Sequence, residues 1–148
     1  MPAAKLYFQN EIATIEEHAS GYVLLTYRAG PRQLVQVQTV LSHLATLLET
    51  RGWYRVLNLQ QWMQAFTRRE TATSAAFWHQ RIEQWGHGLY VASVLAHGVF
   101  ARIAATTMRQ ELQRAGLVYQ LFDNEVQAGI WLCAQQAPPP ARASGLVP

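Results

Sequence analysis

Apolar and polar positions alternate over the first 28 residues and then change period. Leu6 and Phe8 have polar neighbours, "EIATIE" from Glu11 is a second short run, and "YVLLTYR" from Tyr22 is a third. Period-two alternation predicts strands, and the "HASG" turn starting at His18 predicts an antiparallel meander. "AGPR", from Ala29, breaks the chain. Over residues 33–51 the steps become three and four. Leu34, Val37, Leu41, Leu44 and Leu48 form the apolar stripe of a helix. Arg51 suits the negative end of its dipole, and Gly52 is the residue type that ends helices.

From there apolar runs and amphipathic stretches take turns. "WYRVLNL" from Trp53 reads as a buried strand, and residues 73–85 as a helix carrying Trp78, Ile82 and Trp85 on one face. "LYVASVLA" from Leu89 is the next strand. Residues 99–115 are a helix whose Phe100, Ile103, Ala104, Met108 and Leu112 share a face. "LVYQLF" from Leu117 is the last strand and residues 124–135 the last helix, with Val126 and Ile130 expected against the sheet. Asp123 falls where a carboxylate would cap that helix.

Strands separated by amphipathic helices pair in parallel through right-handed crossovers. The fold class is therefore α/β: one domain over residues 1–135, with antiparallel N-terminal strands, then βαβ parallel strands, in a mixed sheet flanked by about four helices. Residues 136–148, "QAPPPARASGLVP", rich in Pro and Ala, read as a poorly ordered tail or the scar of a cleavable tag.

Composition narrows the functional classes. Of the 148 residues 14% are charged, well below the usual quarter. Part of the surface is therefore expected to be covered by a partner protein or by a second copy of the chain, as in a homodimer. The net charge is +3 with scattered basic residues, which argues against nucleic acid. One cysteine, Cys133, excludes an internal disulfide and fits a reducing cytoplasm. It is expected to be packed on the last helix rather than reactive. No apolar run reaches the roughly 18 residues that cross a bilayer, so stable membrane insertion is not expected.

Catalytic signatures are sparse. His18, His43, His79, His87 and His97 lack the spacing of a metal pair, so no metal is expected. No G-x-S-x-G elbow occurs. "GHG" at His87 follows a helix, whereas a dinucleotide fingerprint follows a strand, so no cofactor is expected.

The densest feature is residues 61–85, which hold Trp62, Met63, Phe66, Phe77, Trp78 and Trp85. Helix packing explains part of it. Aromatics and Met beside Arg are also what interface cores favour, and an apolar pocket uses the same residues. As a binding surface, Trp62, Phe66, Trp78 and Trp85 would supply buried area, with Arg68, Arg69 and Arg81 meeting an acidic rim or ligand head. Ligands of parallel α/β sheets sit at the C-terminal strand ends, an edge that gathers Asn58, Gln60, Trp62, His97 and Asp123.

The chain's ending, with Phe122, Asp123, Asn124, Glu125, Ala128, Trp131 and Leu132, resembles the terminal strand and helix of the SpoIIAA-like branch of the STAS (anti-sigma-factor antagonist) superfamily. "GWYRVLNL" resembles that branch's central strand and "LYVASVLAHGVFARIAATTM" its next strand and helix. The resemblance spans residues 6–132. It implies a mixed sheet with packed helices, and a regulatory role in interaction or ligand response rather than catalysis. The phosphorylated Ser of the best-known relatives has no counterpart: Asn58 and "QQWMQAFTRRETATS" supply no Ser-Gly turn, and Thr67, Thr71, Thr73 and Ser74 do not match the motif. The expected function is a non-catalytic domain that binds a partner protein, itself or an apolar small molecule. The alternative is a small enzyme or carrier with a polar pocket built from Asn58, His97 and Asp123.

Overall fold

The N-terminal meander forms as the alternation predicts. The computed structural model describes residues 3–95 and 99–141. In it β1 (Ala4–Gln9), β2 (Ala13–His18) and β3 (Tyr22–Tyr27) pair antiparallel. Then follow α1 (Leu34–Arg51), β4 (Arg55–Gln60), α2 (Arg68–Trp85), β5 (Tyr90–Leu95), α3 (Val99–Ala115), β6 (Val118–Phe122) and α4 (Glu125–Ala134). Strands β3 to β6 are parallel neighbours, so the described residues make one mixed sheet in the order β1-β2-β3-β4-β5-β6. The chain is thus α/β, with six strands and four helices among the described residues.

Each step from β3 to β6 moves one strand in the same direction, and right-handed crossovers then put α1, α2 and α3 on one face. The main core lies there: Val37, Leu41, Leu44 and Leu48 of α1 meet Val23, Leu25, Val56 and Val91 of the sheet, with Trp78, Ile82, Met108 and Leu112 beside them. Helix α4 covers the other face, where Ala128 and Leu132 pack on Leu24, Leu57, Ala92 and Val94. Burial on both faces is why the parallel strands are nearly continuous in apolar residues.

Several sequence expectations change. Helix α2 starts five residues before position 73, because Thr67 and Glu70 cap it reciprocally: Glu70 N donates to Thr67 Oγ1 at 3.1 Å and Thr67 N to Glu70 Oε1 at 2.8 Å. The cap of α4 is Asn124, not Asp123; its Oδ1 accepts from Gln127 N at 2.9 Å. Val126 and Ile130 do not face the sheet but are 72% and 68% exposed, since Ala128 and Leu132 occupy the inward side. On α3, Met108 and Leu112 are buried while Phe100 and Ile103 are exposed. Cys133 is exposed as well, one position past the inward-facing Leu132. At the start of the Pro/Ala-rich segment Gly88 N donates to Pro139 O at 2.8 Å, and Pro139 is buried. Residues 142–148 lie outside the described residues.

Candidate functional site

One row of the helix-covered sheet face is polar. Along β4 the inward positions are Val56, Asn58 and Gln60; along β5 they are Val91, Ser93 and Leu95. The register sets Asn58 beside Ser93, and Val91 beside Tyr119 of β6. All four polar residues are buried: Asn58 is 8% exposed, Gln60 7%, Ser93 0% and Tyr119 1%. Ser93 Oγ donates to Tyr119 Oη at 2.6 Å. Burial raises the Tyr119 pKa, opposed by the side chains of Ser93, Asn58 and Gln60 around its hydroxyl. Burial likewise pushes the neighbouring Tyr27 hydroxyl far up. Burial thus favours the neutral form of both phenols, and the Tyr119 hydroxyl accepts the bond from Ser93.

Two atoms of this floor are unpaired. Asn58 Oδ1 and Gln60 Nε2 are buried and meet no partner at hydrogen-bond geometry among the described residues, although the Gln60 amide lies near enough to the Tyr119 hydroxyl to lower its pKa. A buried polar atom without a partner costs about 1–3 kcal/mol. Folded proteins keep such atoms where water, an ion or a function requires them.

Three separate spaces lie above the floor. A void of about 30 Å³ lies among Tyr27, Asn58, Ser74, Trp78, Met108 and Tyr119, with Phe66 at its edge. A second of about 30 Å³ lies between Gln60, Met63, Phe66 and Met108 and the alanines Ala101, Ala104 and Ala105 of α3. Outside, a cleft of about 540 Å³ runs between α2 and α3, lined by Phe66, Arg68, Thr71, Ala104, Thr107 and Glu111. Phe66 borders all three spaces.

The loop beside these spaces is held by one arginine. Arg32, just before α1, makes two bonds to the Glu70 carboxylate at 2.9 Å each, and donates to the carbonyls of Gln64 at 2.9 Å and Ala65 at 3.2 Å. Its guanidinium lies 4.9 Å over the Phe66 ring, which meets Tyr27 edge-on at 5.2 Å. Burial alone would raise the Glu70 pKa, but the bonds from Arg32 and Thr67 bring it below the ordinary 4.5.

The residues singled out in the sequence are thus divided among several places. Asn58 and Gln60 form the floor, Phe66 the inner wall and Arg68 the rim. Trp62 is 61% exposed on the loop, and Arg69 is exposed on α2. Trp78 is buried in the core at 4% exposure, so in this chain it is not a surface residue. Arg81 and Trp85 lie toward the far end of α2, where both bond Glu49. An 18-residue helix is about 27 Å long, so Trp85 and Trp62 do not belong to one patch. Asp123 is exposed and pairs with Arg102 at 2.8 Å. His97 lies outside the described residues.

Sequence reasoning missed Tyr27, Ser93 and Tyr119. The signal for Ser93 was present: it is the one aliphatic hydroxyl inside the apolar run "YVASVL". Among the described residues no group of three or more His, Cys, Asp or Glu is placed to hold a metal ion, and no helix is long and apolar enough to cross a membrane. No protein-family profile, curated protein or solved structure matches this chain.

Proposed function

We propose that this chain is a non-catalytic, STAS-like domain that binds a small, largely apolar molecule in the cleft between α2 and α3, with the ligand's polar end directed past Phe66 to Asn58 and Gln60. The observation that carries this reading is the pair of buried atoms without a hydrogen-bond partner among the described residues, Asn58 Oδ1 and Gln60 Nε2, each beside a small, largely apolar void that Phe66 shares with the cleft. Pockets of this kind, mostly apolar with a few converging polar groups, are the common form of small-molecule sites. The position at the C-terminal ends of parallel strands supports it too. The enzyme alternative would need Asn58, His97 and Asp123 to act together; of these, Asn58 lies in the buried floor and Asp123 is exposed and paired with Arg102.

Native mass spectrometry of the freshly purified chain, with a denaturing run beside it, tests the reading. A non-covalent added mass is expected in the parent chain and is expected to be lost in a folded Asn58→Leu variant. An added mass that survives in Asn58→Leu, or a bare chain that also binds nothing from a library of small amphipathic compounds, overturns it.

A second reading rests on Trp62, Phe100 and Ile103, which are 61%, 87% and 59% exposed around the same strand ends. Large apolar side chains left in solvent near a cleft support association with a partner protein or a second copy. Equilibrium sedimentation of Phe100→Ser against the parent chain checks the self-association form of it.

A further inference from the structure

The Trp-rich end of α2 contributes to a second hollow, at the opposite edge of the sheet from the cleft. Leu48, Glu49, Gly52, Trp53, Trp85 and His87 enclose about 200 Å³. Two helices end here. Helix α1 stops at Arg51 and α2 at Trp85, and each is followed by a left-handed glycine, Gly52 at φ 66° and Gly86 at φ 75°. That conformation is accessible to glycine at little cost. It turns the chain so that the following residues, Trp53 and His87, line the hollow.

The contacts fix this wall. Trp85 Nε1 donates to Glu49 Oε1 at 2.9 Å, and the His87 ring lies nearly parallel to the Trp85 ring, 5.6 Å away and inclined by 16°. Arg81 also reaches Glu49 Oε1, at 3.0 Å, from over the Phe77 ring and not from within the hollow. Both bonds fall on Oε1.

Four features of the hollow favour positive charge. The C-terminus of a helix carries about half a negative charge, and two such ends converge here. Helix α2 has no basic residue in its last turn, and the single one of α1, Arg51, bonds Glu17 at 2.6 Å instead. Glu49 adds a carboxylate, part of whose charge Arg81 offsets. Trp53 and Trp85 line the hollow with indoles, the ring system that attracts cations most strongly; His87 lies along one face of Trp85 and Trp78 packs tilted against the same ring. A bare metal ion finds one carboxylate and no ligand cluster here. A bulky, weakly hydrated cation needs only aromatic faces and diffuse negative charge.

We propose that this hollow binds an organic ammonium ion, with a quaternary or methylated nitrogen seated between Trp53 and Trp85 beside Glu49. The full chain is titrated with choline, followed by tryptophan emission. The control is choline's neutral isostere, in which a quaternary carbon replaces the nitrogen. Saturable binding of choline, about tenfold tighter than the isostere, is expected. Glu49→Gln retains an acceptor for Trp85 Nε1 and removes the charge; it is expected to weaken choline severalfold and leave the isostere unchanged. Trp85→Phe is expected to weaken both, and its fold is checked by circular dichroism. Equal affinity for choline and isostere, no saturation by choline, or a Glu49→Gln variant that binds choline as the parent does would each overturn the proposal. A trimethyl-lysine peptide titrated in parallel separates the two sources of such a group: tighter binding than choline assigns a protein-borne cation, weaker binding a free one.

Discussion

Arg32 and Glu70, 38 positions apart, form a two-point ion pair whose side chains are only 5% and 7% exposed. The pair joins the entry of α1 to the first turn of α2, and through the carbonyls of Gln64 and Ala65 it holds the loop that roofs the candidate site. Removing one member leaves the other charge buried, which costs about 3–5 kcal/mol. Urea unfolding of Arg32→Ala and of Glu70→Gln near pH 7 should show a loss of that order.

The same pair sets an acid dependence. The folded carboxyl of Glu70 has a pKa below its ordinary 4.5, so between the two values the unfolded chain binds more protons than the folded one. Stability therefore rises with pH in that window. The contribution is complete above the ordinary value and is lost as pH falls through the folded one. Glu70→Gln has no such proton to take up, so its stability should fall less steeply below about pH 4.5 than that of the parent. Parallel slopes for the two chains would remove Glu70 as the source.

Asn58 and Tyr119 should respond in opposite directions. Asn58 Oδ1 is an unpaired buried acceptor, and Leu has a similar volume, so Asn58→Leu should raise stability by about 1–3 kcal/mol while abolishing ligand binding. Tyr119→Phe instead leaves the Ser93 hydroxyl buried without its partner and should cost a similar amount. A gain in melting temperature coupled to a loss of binding is the mark of a floor kept for function, because sites commonly hold groups that stability alone would discard. Differential scanning calorimetry of both variants checks the signs.

The two polar residues after β6 also separate cleanly. Asn124 caps α4 through Gln127 N, so Asn124→Ala should cost about 1 kcal/mol. Asp123 forms an exposed pair with Arg102, and exposed pairs contribute at most about 1 kcal/mol, less with added salt. Arg102→Ala should therefore lose its effect in high salt while Asn124→Ala keeps it, as thermal unfolding at two ionic strengths would show.

How far the sequence led follows from which signals are local. The period change at Gln33, the glycines Gly52 and Gly86, and the alternation of apolar runs with amphipathic stretches depend on near neighbours, and they specify the element order and the mixed sheet. The Thr67–Glu70 capping box was equally local and readable; the polar run "TRRETATS" has no apolar stripe, which hid the first turn of α2. The floor was half legible. Asn58 and Gln60 stood at the right strand end, but Tyr119 reaches Ser93 from 26 residues away, and only the β5–β6 register brings them together. Periodicity also failed on α4, where a helix rich in apolar residues on every side gives no preferred face, so Val126 and Ile130 looked as suitable as Ala128 and Leu132.

Trp62 and Trp78 carry the last prediction, because the sequence set them side by side as contact residues and the fold assigns them opposite environments. Trp78 packs edge-on against Phe77 at 5.0 Å and is 4% exposed, beneath the void that reaches Asn58. Trp78→Ala should cost about 3–5 kcal/mol, the usual cost of emptying a core aromatic site. Trp62 is 61% exposed, and Trp62→Ala should shift stability by no more than about 0.5 kcal/mol. Its effect should appear instead in binding or association, since the loop that bears it also supplies Met63, Ala65 and Phe66 to the void at Gln60. Chemical denaturation and ligand binding measured on both variants test this directly. A large stability loss in Trp62→Ala would mean that its ring is buried by a partner copy in solution.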